Sequence, residues 1–368
     1  MSRIHPERFA AAVALASTWC HEGRLPAIAL QLTVGEESTG PVFIGKQHPD
    51  AEAPLRHDAI FLIASITKPV VAMGVMRLVE TGLVALDDRV EEYIPEFGRS
   101  GTHQVTLRNL LTHTSGLPDM LPDNRELRAA KAGLDQFVAG ACRADLSFAP
   151  GRGVQYQSMG FALLGEIVCR ISGMPVAQFL EREFFQPLGL TDTALGAPDD
   201  WFTGSHPKVD RIAGIRLPED MRDTDWHWNT RYWRQLGAPW GGLLTTPDDL
   251  TCLAGILTPT GQRSVPLLAP ASIAAMTRNQ LACFPDLPEA ERRCRPWGLG
   301  WRLNWPGHSA NFGDLLGPGT FGHWGATGTL LWIDPEREAI ATILTTQPQE
   351  PRGSYLARLS NMLAAAIR

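Results

Sequence analysis

The four residues Ser65-Ile66-Thr67-Lys68 carry the sharpest chemical signal in this sequence. A serine hydroxyl is a poor nucleophile until a base takes its proton. At the start of a helix, residues three apart share a face, so Lys68 can point back at Ser65. The helix N-terminus adds a positive partial charge and open N–H groups beside the hydroxyl. Val70, Val71, Met73, Gly74, Val75, Met76, Leu78 and Val79 make the following turns nearly all apolar. Such surroundings penalise an ammonium and pull a lysine below its ordinary pKa of about 10.4, towards a neutral base. Fifteen serines and four lysines in 368 residues give roughly 0.2 S-x-x-K matches by chance. The competing reading makes Ser65 a helix N-cap and Lys68 a solvated side chain. The apolar run around the lysine argues against it.

One lysine cannot easily both accept and relay protons, so a second group is expected. Tyr156 is the candidate, in a loop that starts at Pro150-Gly151 and leads into a helical pattern at Met159. Loop residues before a helix are well placed to enter a cleft. Only three other tyrosines exist: Tyr93 in an acidic segment, Tyr232 in a tryptophan-rich one, and Tyr355 in the terminal helix. The competing reading packs Tyr156 against a helix start. A third element is Phe321-Gly322-His323-Trp324-Gly325-Ala326-Thr327-Gly328-Thr329. Its glycines allow close backbone approach, and an edge strand there can offer an N–H to an oxyanion. A lone histidine such as His323 is more often structural.

These side chains need a frame. A helix is expected over residues 6–22, then a hairpin from Ala27–Val34 and Pro41–Gly45 around a glycine turn. Ser65 opens a buried helix that stops at Gly82. Helices are expected at Leu107–Leu111, Leu127–Ala141, Met159–Ser172 and Val176–Phe185. Strands return at Gly298–Asn304, Thr327–Ile333 and Ala339–Thr346, and a last helix spans Ser354–Arg368. Strands at both ends with helices between them predict an α+β architecture: one antiparallel sheet flanked by the terminal helices, with a helical domain inserted. Residues 1–82 and 226–368 would form the sheet domain and 83–225 the helical one, with the active site in the cleft between them.

Composition excludes several classes. The net charge of -6 leaves no footprint for nucleic acid or an anionic membrane. No run approaches the length of a membrane span. The N-terminal apolar stretch is short and followed by charges, so it reads as an amphipathic helix and not a leader, and a cytoplasmic enzyme is expected. Six scattered cysteines without a C-x-x-C pair read as thiols. No H-x-x-x-H suggests a metal, and no G-x-S-x-G suggests an α/β-hydrolase. No cofactor or metal is expected.

The ordered motifs resemble the β-lactamase-related serine hydrolases, which include class C β-lactamases, D,D-peptidases, D-aminopeptidases and serine-lysine carboxylesterases. Phe61–Lys68 is similar to the nucleophile motif and Leu110–Leu117 to a typical structural segment. Tyr156-Gln157-Ser158 occupies the place of Y-x-N, and His323-Trp324-Gly325 that of K-T-G. Pro187–Leu190 and Gly241–Leu250 are also similar. The resemblance implies the β-lactamase/transpeptidase-like fold. It implies that Ser65 forms an acyl-enzyme, that Lys68 and Tyr156 shuttle its proton, and that the Ser65 and Ala326 N–H groups hold the oxyanion. Ser158, His323, Trp324 and Gly325 would then face substrate.

Two departures matter. Ser158 replaces an asparagine, and His323 replaces a lysine that draws in substrate carboxylates. Both changes weaken a penicillin or peptide-carboxylate site. Four of the eleven tryptophans fall within residues 226–240. Trp233 and Trp240 are candidates for an apolar substrate wall; the alternative is a loop packing its rings on the core. The expected function is hydrolysis of small neutral esters with apolar acyl groups. The alternatives are a β-lactamase, D,D-peptidase or D-aminopeptidase-type amidase, and a catalytically silent binding member. The expected partner is a small-molecule ester or amide; the oligomeric state is open.

Overall fold

The apolar runs near the two ends of the chain meet in one sheet. The computed structural model describes residues 2–99, 101–264, 266–305, 310–348 and 354–368. Ala27–Val34 pairs antiparallel with Ala339–Thr345, placing Leu30 opposite Ile343. On its other side, Glu37–Ser38 and Val42–Gly45 pair with successive parts of the same strand. Beyond Ala339–Thr345 come Thr329–Asp334, Phe321–Gly325 and Arg302–Leu303, making seven strands, all antiparallel. The expected hairpins of residues 27–45 and 329–345 are both present.

The central strands lack hydrophobic alternation because both sheet faces are covered. Ala29, Leu331, Ile333 and Leu344 face the main core, while Leu30, Leu330, Trp332 and Ile343 face the other side. There the helices Pro6–His21 and Ser354–Ala365 bury Ala12, Ala16, Leu356, Leu359 and Leu363. The main core is built on Thr67–Glu80 and Met159–Ser172, each buried along most of its length. Gly82 and Gly173, both at positive φ, follow their ends. A second, three-stranded sheet joins Phe61–Leu62, Leu243–Thr245 and Ala194–Leu195.

Three elements differ from the sequence reading. The segment 127–141 is two helices, Asn124–Ala129 and Leu134–Arg143. Lys131 breaks them, with φ of 55° in the left-handed region, and Gly133 precedes the second. Of Gly298–Asn304 only Arg302–Leu303 pairs as strand, because the Gly298 N–H closes a turn onto the Trp301 carbonyl at 2.9 Å. Ser65 heads no α-helix; it lies in a 3₁₀ turn, Ala64–Ile66, and Thr67–Glu80 follows. All six cysteines are free. No single described helix is long and apolar enough to cross a membrane.

Candidate active site

The turn that presents Ser65 is held under strain. Ala64 has φ of 47°, a region a non-glycine residue occupies only when its surroundings impose it. Those surroundings are visible. The Thr67 hydroxyl donates to the Ala64 carbonyl at 2.6 Å and the Leu243 N–H donates to the Thr67 hydroxyl at 2.9 Å. The Ile63 N–H donates to the Leu243 carbonyl at 3.0 Å. From the other side, Thr327 and Thr329 donate their hydroxyls to the carbonyls of Leu62 and Ile63 at 2.7 and 2.9 Å. Two separate pieces of chain therefore clamp residues 62–64.

Lys68 sits in the first turn of the helix, with none of its surface exposed. Its Nζ lies 3.1 Å from the Ser65 Oγ and 2.8 Å from the Trp240 carbonyl oxygen. Burial pulls its pKa from 10.5 to about 7, with the Asp119 carboxylate acting against that shift. Near neutral pH a large share of Lys68 is thus an amine able to accept the Ser65 proton.

Tyr156 comes from the loop that precedes Met159–Ser172. Its ring centroid is 4.7 Å from the Lys68 Nζ, and the Ser65 side chain beside its hydroxyl favours the phenolate. Burial raises its pKa well above the usual phenol range, so in the resting site it carries its proton. The loop is positioned by its neighbours. Gln157 donates its backbone N–H to His113 Nδ1 at 3.1 Å and its amide to the Leu110 carbonyl at 2.9 Å; its amide oxygen accepts from the Ser115 hydroxyl. His113, itself at φ of 61°, lays its ring 4.7 Å from Tyr156 and 4.2 Å from Trp297. The segment 110–117 is therefore the backing of Tyr156.

The strand Phe321–Gly325 brings the third element. A Cβ on Gly325 would lie 2.2 Å from the Ile63 carbonyl oxygen and 3.1 Å from the Ala64 Cβ. Only glycine lets the strand end approach the Ser65 turn this closely. Ala326, just beyond, is exposed. His323 is 1% exposed and its ring lies 6.0 Å from Tyr156. Its Nδ1–H donates a hydrogen bond to the Trp324 carbonyl oxygen at 2.7 Å, since a carbonyl can only accept. Burial, with Lys68 adding to it, lowers the His323 pKa to about 3. With a pKa that low, the His323 ring is neutral near neutral pH. Arg302, paired opposite Gly322 on the neighbouring strand, places its guanidinium 4.7 Å from the rings of both Trp297 and Trp324. Its field favours the Tyr156 phenolate.

The tryptophans behave differently from the expected substrate wall. Trp233 is 3% exposed, packed with Ile60, Leu62 and Trp201 under the Arg128 guanidinium at 4.2 Å. Trp240 is 4% exposed with its ring 5.2 Å from Phe137, and only its carbonyl reaches Lys68. These rings fill the interior, where their apolar area is worth more than at a cleft rim. Trp324 packs its ring against Phe312 and Arg302. Ser158 is buried and donates its hydroxyl to Asp119 Oδ1 at 2.6 Å. Asp119, Arg302 and the Trp240 carbonyl are site features the sequence reading missed. Nothing in their local pattern marks them, because each is brought in by tertiary packing. Among the described residues, no cluster of His, Cys, Asp or Glu is suited to a metal ion.

Comparison with known proteins agrees with this fold. The chain is 32% identical to esterase EstB of Burkholderia gladioli over 77% of its own length and 74% of that protein's. Its fold superposes on a penicillin-binding protein homologue from Caulobacter crescentus with a TM-score of 0.80, at 24% identity, covering 100% of this chain and 99% of that one. It also superposes on EstCE1, a hydrolase with promiscuous acyltransferase activity, with a TM-score of 0.76, at 21% identity, covering 97% and 99%. The sheet, the terminal helices and the helical middle are thus the β-lactamase/penicillin-binding-protein fold, as the resemblance implied. Residues 8–365 match the Beta-lactamase family along nearly the whole chain, and the protein is a member of that superfamily of serine hydrolases.

Proposed function

We propose that this protein hydrolyses carboxylic esters through an acyl-enzyme on Ser65. Neutral Lys68 takes the Ser65 proton as Oγ attacks the substrate carbonyl carbon. The oxyanion lies between the N–H groups of Ser65 and Ala326, and charge developing there lowers the barrier. Tyr156, next to Lys68, passes a proton to the leaving oxygen as the ester C–O bond breaks, and is reprotonated from Lys68. Water then attacks the acyl carbon, giving its proton to the same pair; Ser65 Oγ leaves and regains a proton.

The observation that carries this reading is the Lys68 Nζ at 3.1 Å from the Ser65 Oγ, buried and drawn towards neutrality. Preference for esters without a carboxylate rests on His323, neutral where penicillin-recognising relatives place a lysine. The interior packing of Trp233 and Trp240 leaves no support for an apolar wall made of their rings. An amidase or peptidase reading has two observations in its favour: the Arg302 cation, whose field acts on His323 and Tyr156, and the likeness to a putative D-alanyl-D-alanine carboxypeptidase of Escherichia coli, 28% identical over 79% of this chain and 70% of that one. A panel of p-nitrophenyl esters, nitrocefin and D-alanyl-D-alanine peptides separates the two. The ester reading expects the highest kcat/KM on the esters; a higher value on nitrocefin or the peptides overturns it.

A further inference from the structure

Away from the nucleophile, one buried cation has no counter-ion. Arg128 is 7% exposed, and among the described residues no carboxylate forms an ion pair with it. Arginine is rarely buried unpaired, because desolvating a charge without compensation is costly. The interface around it is not short of acids. The helix Asn124–Ala129 and the turn after it face residues 220–233, and the rim charges are matched there. Arg125 pairs with Asp220 at 4.0 Å and Lys131 with Asp225 at 2.6 Å. Arg128, between them in sequence, is left single.

The guanidinium is nonetheless held in one place. Its carbon lies 4.2 Å from the Trp233 ring centre and 5.9 Å from that of Trp226. Its Nε donates to Asn124 Oδ1 at 3.2 Å. Stacking uses the face of the group and Asn124 uses one donor, so both Nη groups are left without an acceptor among the described residues. Neither Nη is sealed from solvent. The Tyr232 hydroxyl nearby donates to the Ala132 carbonyl at 3.0 Å, and the Trp233 Nε1–H is buried with no acceptor. The cluster therefore carries donors and positive charge in excess of acceptors. Burial lowers the Arg128 pKa from 12.5 to about 10, which leaves it a cation at neutral pH.

We propose that Arg128, held by Trp233, Trp226 and Asn124, binds the carboxylate of a small organic acid at a site separate from Ser65. Among the described residues, no hydrogen bond or ring contact joins this cluster to Ser65, Lys68 or Tyr156. The two Nη groups present a pair of N–H donors on one edge, which matches the two oxygens of a carboxylate. One guanidinium supplies one positive charge. A phosphate dianion calls for further donors than this edge offers, so the carboxylate is the better fit. The flanking indoles give an apolar border for the hydrocarbon part of the acid.

The test titrates the full chain with sodium butyrate by isothermal calorimetry at fixed pH and ionic strength. The proposal expects one butyrate per chain, with the same affinity in Ser65→Ala. Arg128→Gln should weaken binding by about tenfold or more, the scale of a charge-assisted pair of hydrogen bonds. Arg128→Lys keeps the charge without the fork and should fall between the two. Inorganic phosphate should bind more weakly than butyrate, and uncharged butyramide should not compete. Circular dichroism checks that each variant is folded; if Arg128→Gln is not, Arg128→Lys decides. No butyrate binding in the unmodified protein, an affinity unmoved by a folded Arg128 variant, or phosphate bound as tightly as butyrate overturns the proposal. Binding lost in Ser65→Ala overturns it too, because the acid then sits at the nucleophile.

Discussion

Gly325 and Ile63 are so close that a single added carbon cannot be placed between them: a Cβ on Gly325 would lie 2.2 Å from the Ile63 carbonyl oxygen and 2.3 Å from the Thr329 hydroxyl. The contact locks the strand that ends at Ala326 onto the turn that carries Ser65. Gly325→Ala should push the two apart. Overpacking of this kind costs about 1–3 kcal/mol. The larger effect should fall on kcat, because the Ser65 and Ala326 N–H groups separate. Thermal unfolding and ester kinetics on the variant check this; an alanine tolerated with kcat intact would show that the close approach has no catalytic purpose.

The Lys68 pKa sets a pH dependence. Its folded value of about 7 lies below the ordinary 10.5, and only the neutral amine accepts the Ser65 proton. Ester kcat/KM should therefore rise as pH rises through about 7 and fall away below it. The folding term has the same direction. Between about 7 and 10.5 the unfolded chain binds more protons than the folded one, so stability from this group increases with pH across that window. Asp119 favours the ammonium, so Asp119→Asn should move the acid limb to lower pH. A pH–rate profile on a p-nitrophenyl ester measures this, and a limb that stays or moves upward contradicts the assignment of Lys68 as the base.

Lys68 and Tyr156 both act on Ser65: Lys68 Nζ is 3.1 Å from its Oγ, and the Tyr156 phenol feels the same side chain. Residues that work as a unit show non-additive losses. Lys68→Ala and Tyr156→Phe should each lower kcat by about 10³-fold or more, and the double variant should be little worse than either. Losses that multiply would mean that the two groups serve separate steps.

The elements that position this chemistry were mostly readable from the sequence, for identifiable reasons. Met159–Ser172 has a strongly apolar pattern and ends at a glycine, so its limits are set by local chemistry. The two hairpins are marked by turn residues between apolar runs. The break at Lys131 was not legible, because nothing in its local sequence announces a left-handed lysine; the packing imposes it. The same holds at the candidate site. S-x-x-K is a local pattern, so Ser65 and Lys68 could be paired by spacing. Asp119 and Arg302 reach the site through loops and strand register, which no spacing encodes. The cluster of tryptophans from 226 to 240 was ambiguous for a different reason: large apolar rings suit a core and a binding wall equally well, and only burial separates the two.

His323 is a neutral ring where relatives that bind carboxylates place a permanent cation. His323→Lys should raise kcat/KM on nitrocefin relative to p-nitrophenyl butyrate by about tenfold, the scale of one charge-assisted hydrogen bond. A lysine there faces the same burial that keeps His323 neutral, so the variant's fold is checked by circular dichroism. A folded variant with no change in the ratio would remove His323 from substrate selection.

The central claim is that Ser65 is the nucleophile, and covalent labelling tests it most directly. The protein is incubated with a fluorophosphonate and the modified residue is located by peptide mass spectrometry. The account predicts a single stoichiometric adduct on Ser65. It also predicts that Ser65→Ala neither labels nor turns over p-nitrophenyl esters, with a loss of about 10⁴-fold or more. An adduct on another residue, or a Ser65→Ala variant that keeps its turnover, would contradict it.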